Sequence, residues 1–185
     1  TGVLTVVRPD NGLVSESGFT LTITVCDAGG VTFVSNGGVY PATPIQDAID
    51  AATAGDLILV GAGSYDENVI MHKPVRLQGA GVGVTSLLSN PTPAERLAVW
   101  HADVQTLLGN DPFAANEAPG ILVIAASDFI TPGPERFIDG FTLTGSISGG
   151  GIYVHSDIHN LVISNNEIFN NQGIFAGGIV IGTPD

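Results

Sequence analysis

The sequence predicts an all-β fold, a right-handed parallel β-helix whose coils stack as a solenoid, with an N-terminal capping α-helix and a helical loop insertion. Three observations predict it. Short apolar runs recur along the chain, each closed by Gly, Asn, Asp or Pro. Several of the gaps between them are too long for a two-residue hairpin and too short for a crossover helix, which leaves parallel pairing of stacked coils. Apolar positions also repeat at the length of one coil. Gly150, Ile152 and Val154 recur 27 residues later at Gly177, Ile179 and Ile181, and Ile138-Asp139-Gly140 with Leu143 recurs 25 residues later at Ile163-Ser164-Asn165 with Ile168. A unit of that size cannot bury its apolar face alone, so it must stack on its neighbours.

Taken in order, residues 1–40 read as a strand-rich lead-in. Its alternations are VLTVV at 3–7, FTLTITV at 19–25 and VTFV at 31–34, punctuated by Asn11-Gly12 and Gly29-Gly30. The coils occupy 41–185. They open with a helix over 44–54, where Thr43 is the expected cap, Pro44 the first helical residue and Gln46 the partner in a reciprocal capping box. Ile45, Ala48, Ile49 and Ala52 form its apolar stripe, Gly55 stops it, and a lone stripe of this kind must lie on something. Strands follow at 56–61, 68–71, 75–79 and 85–89, then at 120–125, 136–145, 150–155, 160–171 and 177–182. Asn165, Asn166, Asn170 and Asn171 suit coil corners, because Asn tolerates left-handed backbone and its amide can bond from rung to rung. Residues 90–119 break the rhythm. Leu97, Trp100 and Val104 stand at helical spacing there, so a helix is expected to project from a corner as an inserted loop. Trp100 and His101 invite ligand stacking, but an apolar-face Trp reads first as packing.

Composition removes several function classes. Five cations, Arg8, Lys73, Arg76, Arg96 and Arg136, face 18 acidic residues for a net charge of -13, so no basic patch exists to recruit nucleic acid or an anionic membrane. The acids serve solubility. The sharper alternative, attraction of Ca²⁺, lacks a clustered D-x-D-x-D loop. Cys26 stands alone, which excludes an internal disulfide and a thiolate metal cage and makes it a small buried hydrophobe. No apolar stretch approaches the ~20 residues of a membrane span. With neither an initiating Met nor a leader, the chain reads as processed or as part of a longer protein.

From Ile45 to Thr85 the sequence IQDAIDAATAGDLILVGAGSYDENVIMHKPVRLQGAGVGVT resembles the opening of pectin-lyase-like right-handed β-helix proteins, and IDGFTLTG and ISNNEIFNN extend the likeness. The resemblance implies that the 44–54 helix caps the coil stack and that the protein is exported, secreted or at the cell surface. It leaves the chemistry open, since the same fold serves lyases, epimerases, phage tail proteins and adhesins. Lyases of the fold resemble Ca²⁺-assisted proton abstractors, with acidic residues on one sheet and an Arg or Lys base. Arg136 has no acidic ladder at the coil period beside it.

Three local patterns invite chemistry. His155, Asp157 and His159 could converge on Zn²⁺ or Cu²⁺, although a structural site needs about four ligands and a solvated coil corner explains the same residues. Tyr65-Asp66-Glu67-Asn68 puts two carboxylates side by side, where the turn reading has Tyr packing and Glu bonding backbone. Gly79-Ala80-Gly81-Val82-Gly83 looks like a phosphate loop but lacks the following Lys-Ser/Thr. The expected function is therefore a non-catalytic stalk or platform contacting polysaccharide or another protein chain. The alternatives are part of a polysaccharide lyase or epimerase with active-site coils elsewhere, and a fibre subunit associating through open coil ends.

Overall fold

Apolar residues alternating every second position make strands with one face to bury, and positive-φ corners let the chain return above itself. The computed structural model describes residues 4–5, 20–21, 30–35, 39–90, 93–124, 136–155 and 158–182. Cys26, Asn11-Gly12, Asp157 and most of the 3–7 and 19–25 alternations lie outside the described residues. Of those alternations, β1 (Leu4–Thr5) pairs antiparallel with β2 (Thr20–Leu21).

The fold is mostly β, with parallel sheets in a solenoid-like arrangement and two helices among the described residues. One sheet contains β3 (Val31–Val34), β4 (Leu57–Val60), β7 (Arg76–Gly79), β10 (Arg136–Asp139) and β13 (Leu161–Ser164), in that order. A second contains β5 (Gly63–Tyr65), β8 (Thr85–Leu88), β11 (Thr142–Thr144) and β14 (Glu167–Ile168). The third contains β6 (Val69–Met71), β9 (Ile121–Ile124), β12 (Ile152–His155) and β15 (Ile179–Ile181). From β4 onward the chain visits the three sheets in rotation. β3, at the end of the stretch expected as lead-in, already pairs in parallel register with β4.

Both sequence repeats are pairing registers. Ile152 lies opposite Ile179 and Val154 opposite Ile181, while Ile138 lies opposite Ile163 and Leu143 opposite Ile168. The inner core is built from such rows: Ile58, Leu77 and Ile138 from the first sheet, Tyr65, Leu87 and Leu143 from the second, and Val69, Ile121 and Ile152 from the third. The runs at 136–145 and 160–171 each split into two strands. Gly140 and Asn165 take φ of 77° and 51° at equivalent corners, and one strand cannot pass through such a residue.

The corners also divide labour among the asparagines. Asn165 and Asn170 take positive φ. Asn166 and Asn171 instead bond the preceding coil: Asn166 accepts from Phe141 N at 2.9 Å and donates to Ile138 O at 2.7 Å, and Asn171 accepts from Ser146 N and donates to Leu143 O, both at 3.0 Å. Each side chain thereby satisfies backbone groups one coil away.

Helix α1 (Pro44–Ala51) lays Ile45, Ala48 and Ile49, with Ala52 just beyond it, on the inner core beside β3, β4 and β6. Its cap differs from the expected box. Thr43 makes no capping bond; Glu67 accepts from the Ile45 and Gln46 amides, each at 3.1 Å. Gln46 is drawn elsewhere because β6 is the outermost strand of its sheet. Its amide donates to Ile70 O at 3.1 Å and accepts from Ile70 N at 2.7 Å, standing in for a neighbouring strand.

Helix α2 (Ala94–Leu108) does not project from a corner. It lies on the outer face of the third sheet, where Leu97, Trp100, Val104 and Phe113 cover Ile70, Leu122, Ile124 and Tyr153 as a second apolar core. Those strands point apolar residues both inward and outward, and the outward row requires a cover.

Candidate functional site

Most of the residues singled out for chemistry are held in fold contacts. Tyr65 is fully buried, and its hydroxyl donates to Gly61 O at 3.1 Å. The neighbouring carboxylates diverge: Asp66 pairs with Arg96, and Glu67 turns to the start of α1. Burial pushes the Glu67 carboxyl up to about 7 against the two amides and the Arg96 charge, which favour ionisation. The glycine loop has its amides taken as well. Ala80 N donates to Thr85 Oγ1 and Gly83 N to Thr142 Oγ1, both at 2.8 Å, and Gly81 N donates to Gly140 O at 3.1 Å.

Two further carboxylates are tied between coils. Asp56 accepts from Thr53 N at 2.8 Å and Gly30 N at 2.5 Å, and the Thr53 bond leads in holding its pKa below the ordinary value. Asp139 accepts from Ser164, Gln78 and Asn165, and the Ser164 hydroxyl does most to keep it ionised.

Of the metal candidates, His155 ends β12 on its outer side, edge-on to Phe113 and Tyr153 with centroids 6.3 and 6.4 Å away, and burial lowers its pKa. His159 lies in the connection to β13, its carbonyl accepting from Arg136 Nη1 at 2.5 Å. Asp157 lies outside the described residues. Among the described residues, no group of three or more His, Cys, Asp or Glu is placed to hold a metal ion. Arg136, the base suggested by the lyase comparison, is only 1% exposed.

The chain matches no family model, no curated protein and no solved structure. Two clefts flank α2.

The larger cleft, about 490 Å³, is lined by Leu97, Ala98, His101, Asp111, Phe113 and Asn116, among others. His101 Nδ1 and Asp111 Oδ2 are 2.5 Å apart, and Phe113 N steadies the same carboxylate at 3.0 Å. The imidazole is thereby fixed in one orientation, with Nε2 buried and unpartnered. No hydroxyl, thiol or amine side chain is among the residues lining this cleft. His101 stands out in the sequence beside Trp100, whereas nothing in the sequence singles out Asp111. Gly109, with φ of 76° after the last turn of α2, was the available signal that the chain doubles back.

The smaller cleft, about 160 Å³, lies between α1 and α2. Exposed Asp47, Asp50 and Asp103 line it together with buried Glu67, Asn68 and Trp100. Trp100 packs in the second core, 4% exposed and edge-on to His101 and Phe113. Asp103 and the convergence of α1 with α2 were not legible in the sequence, because they depend on where the insertion docks.

Proposed function

We propose that the chain is a segment of a right-handed parallel β-helix of the pectin-lyase-like type, serving as a non-catalytic platform within a larger secreted or cell-surface protein. One observation carries the reading: the polar side chains at its corners bond the neighbouring coil. Asp56, Asp139, Asn166 and Asn171 each join residues about one coil apart, as in the Ser164 to Asp139 bond with its separation of 25. Carboxylates and amides engaged in this way build a stack and leave little to surround a reacting bond. The rotation of the chain through three parallel sheets supports the same reading.

On the second sheet the platform offers exposed Ser64, half-buried Ser86 and exposed Glu167 along one row, in which the buried Thr142 lies between Ser86 and Glu167. Hydroxyls at strand spacing suit hydrogen bonding to sugars. The test is incubation with pectate, alginate and related uronates plus Ca²⁺, monitored for unsaturated products, beside a glycan-binding screen. The platform predicts no turnover; steady product formation would establish the lyase alternative instead. Loss of product on mutating Arg136 would be uninformative, because that side chain is buried.

A second reading, self-association, rests on the outermost strands β13, β14 and β15. Each has one neighbour among the described residues, and Ile179 and Ile181 are exposed on β15. Either a further coil of a longer chain or a second copy would pair with such an edge, and sedimentation that varies with concentration would show the second copy.

A further inference from the structure

Side chains fasten α1 to the end of the stack at both of its ends. At its start Glu67, from the turn between β5 and β6, accepts from the Ile45 and Gln46 amides, each at 3.1 Å. Beside it Gln46 takes the place of a neighbouring strand on β6, accepting from Ile70 N at 2.7 Å and donating to Ile70 O at 3.1 Å. At the other end Lys73 Nζ donates to Asp50 O at 2.5 Å and to Ala52 O at 2.9 Å. Of these three fastening side chains Glu67 alone is buried, at 1% exposed.

The surroundings of that carboxyl set what its ionisation costs. Water is excluded while α1 is seated, and burial disfavours the charged form. On α1, Asp47 and Asp50 line the same cleft as Glu67, and Asp103 does so from α2. The one Lys or Arg lining it, Arg96 of α2, is engaged by Asp66 and donates to Leu88 O at 3.3 Å. On the strand side the Tyr65 hydroxyl turns away to Gly61 O, Tyr40 lines the cleft, and His72 stands 3.7 Å from Asp50. Burial outweighs the two amides and the Arg96 charge, so the Glu67 carboxyl is pushed up to about 7.

α1 is one wall around this carboxyl. With α1 lifted, Glu67 is solvated and ionises near the ordinary 4.5, so the seated state holds the proton more tightly and rising pH favours lifting. We propose that α1 is a pH-sensitive latch, seated while Glu67 is protonated and lifting from its N-terminal end as Glu67 ionises, with Lys73 anchoring the other end. Lifting uncovers Ile45 and frees the Ile70 N–H and C=O, which opens the edge of β6 to another strand. The latch belongs to the end of the stack and does not depend on the platform reading.

Hydrogen exchange of the full chain, followed amide by amide from pH 5 to 7.5 and corrected for intrinsic rates, tests the latch. A helix of eight residues does not keep its own hydrogen bonds away from the stack, so the Ala48 and Ile49 amides report its lifting. The Ile70 amide, whose acceptor is Gln46, should open with them. Their opening constants should rise together, roughly fiftyfold across that range, while Leu87 and Leu143 of the inner coils stay better protected throughout. The rise should vanish in Glu67→Gln and persist in His72→Gln. Opening of α1 that does not change with pH, protection of α1 equal to that of Leu87 and Leu143, or an Ile70 amide that stays closed while α1 opens would overturn the proposal. So would a rise that is lost in His72→Gln. Should Glu67→Gln fail to fold, the unaltered chain and His72→Gln decide between these outcomes.

Discussion

At the scale of single residues, buried polar groups decide how stability responds to pH. Glu67 has a folded pKa of about 7 against an ordinary value of 4.5, so the folded state holds its proton more tightly than the unfolded chain. Its contribution is complete below pH 4.5 and is lost as pH rises towards 7, a fall on the order of 2–3 kcal/mol. Asp56 and Asp139 act with the opposite sign. Their folded pKa values are depressed, so the stability they add is present above about 4 and is lost as acid protonates them. Denaturant titrations across pH 3 to 8 should show a maximum near pH 4.5, and Glu67→Gln should flatten the neutral side of that curve. Replacing Asn166 with Ala should cost about 1–3 kcal/mol by the same measurement, since the Phe141 amide and the Ile138 carbonyl lose their partner. The asparagine corners were legible because Asn is a turn residue whichever coil it faces. The Glu67 cap was not, because its partners lie 21 and 22 positions earlier and turn chemistry sees only neighbours.

At the scale of elements, the two helices do different work on the same stack. α1 completes the inner core at the side where β3 and β6 end their sheets, so Ile49→Asp, at a fully buried position, should cost at least about 4 kcal/mol and lower the melting temperature sharply. α2 covers an outer face. Replacing residues 93–116 with a short Gly/Ser linker should leave the far-ultraviolet β signal near its original strength while exposing Ile70, Leu122, Ile124 and Tyr153, read as new binding of an apolar dye. Loss of the β signal would show that the second core is required for the first. The α1 stripe was readable because 3.6-residue spacing survives in any surroundings. Where α2 docks was not, since a helix pattern reveals that a face is buried and says nothing of the surface beneath it. The signal lay instead in β9, whose four residues, ILVI, are apolar on both faces and are all buried.

At the scale of the whole molecule, parallel stacking follows from the 25- and 27-residue repeats, which the strand registers reproduce residue for residue. Close backbone approach enforces the stack as well. A Cβ on Gly79 would stand 2.4 Å from Gly140 O on the neighbouring coil, so Gly79 admits no larger residue without a backbone shift. The insertion carrying α2 does not alter this register: Gln78 still reaches Asp139, 61 positions on, where Ser164 reaches it across 25. Lengthening the chain after Gly109 by ten Gly/Ser residues should therefore move the denaturation midpoint by less than the equivalent of about 0.5 kcal/mol. The same feature has a consequence in time. Strands from β3 to β8 find one another within short stretches of chain, as do those from β9 to β15, whereas contacts joining the two groups must close loops of 51 to 61 residues. The longer closure adds less than about 1 kcal/mol to each encounter, enough to order events without blocking them. Two nuclei should form separately and then dock, so refolding followed at Trp100, which sits where the groups meet, should lag behind the growth of β signal.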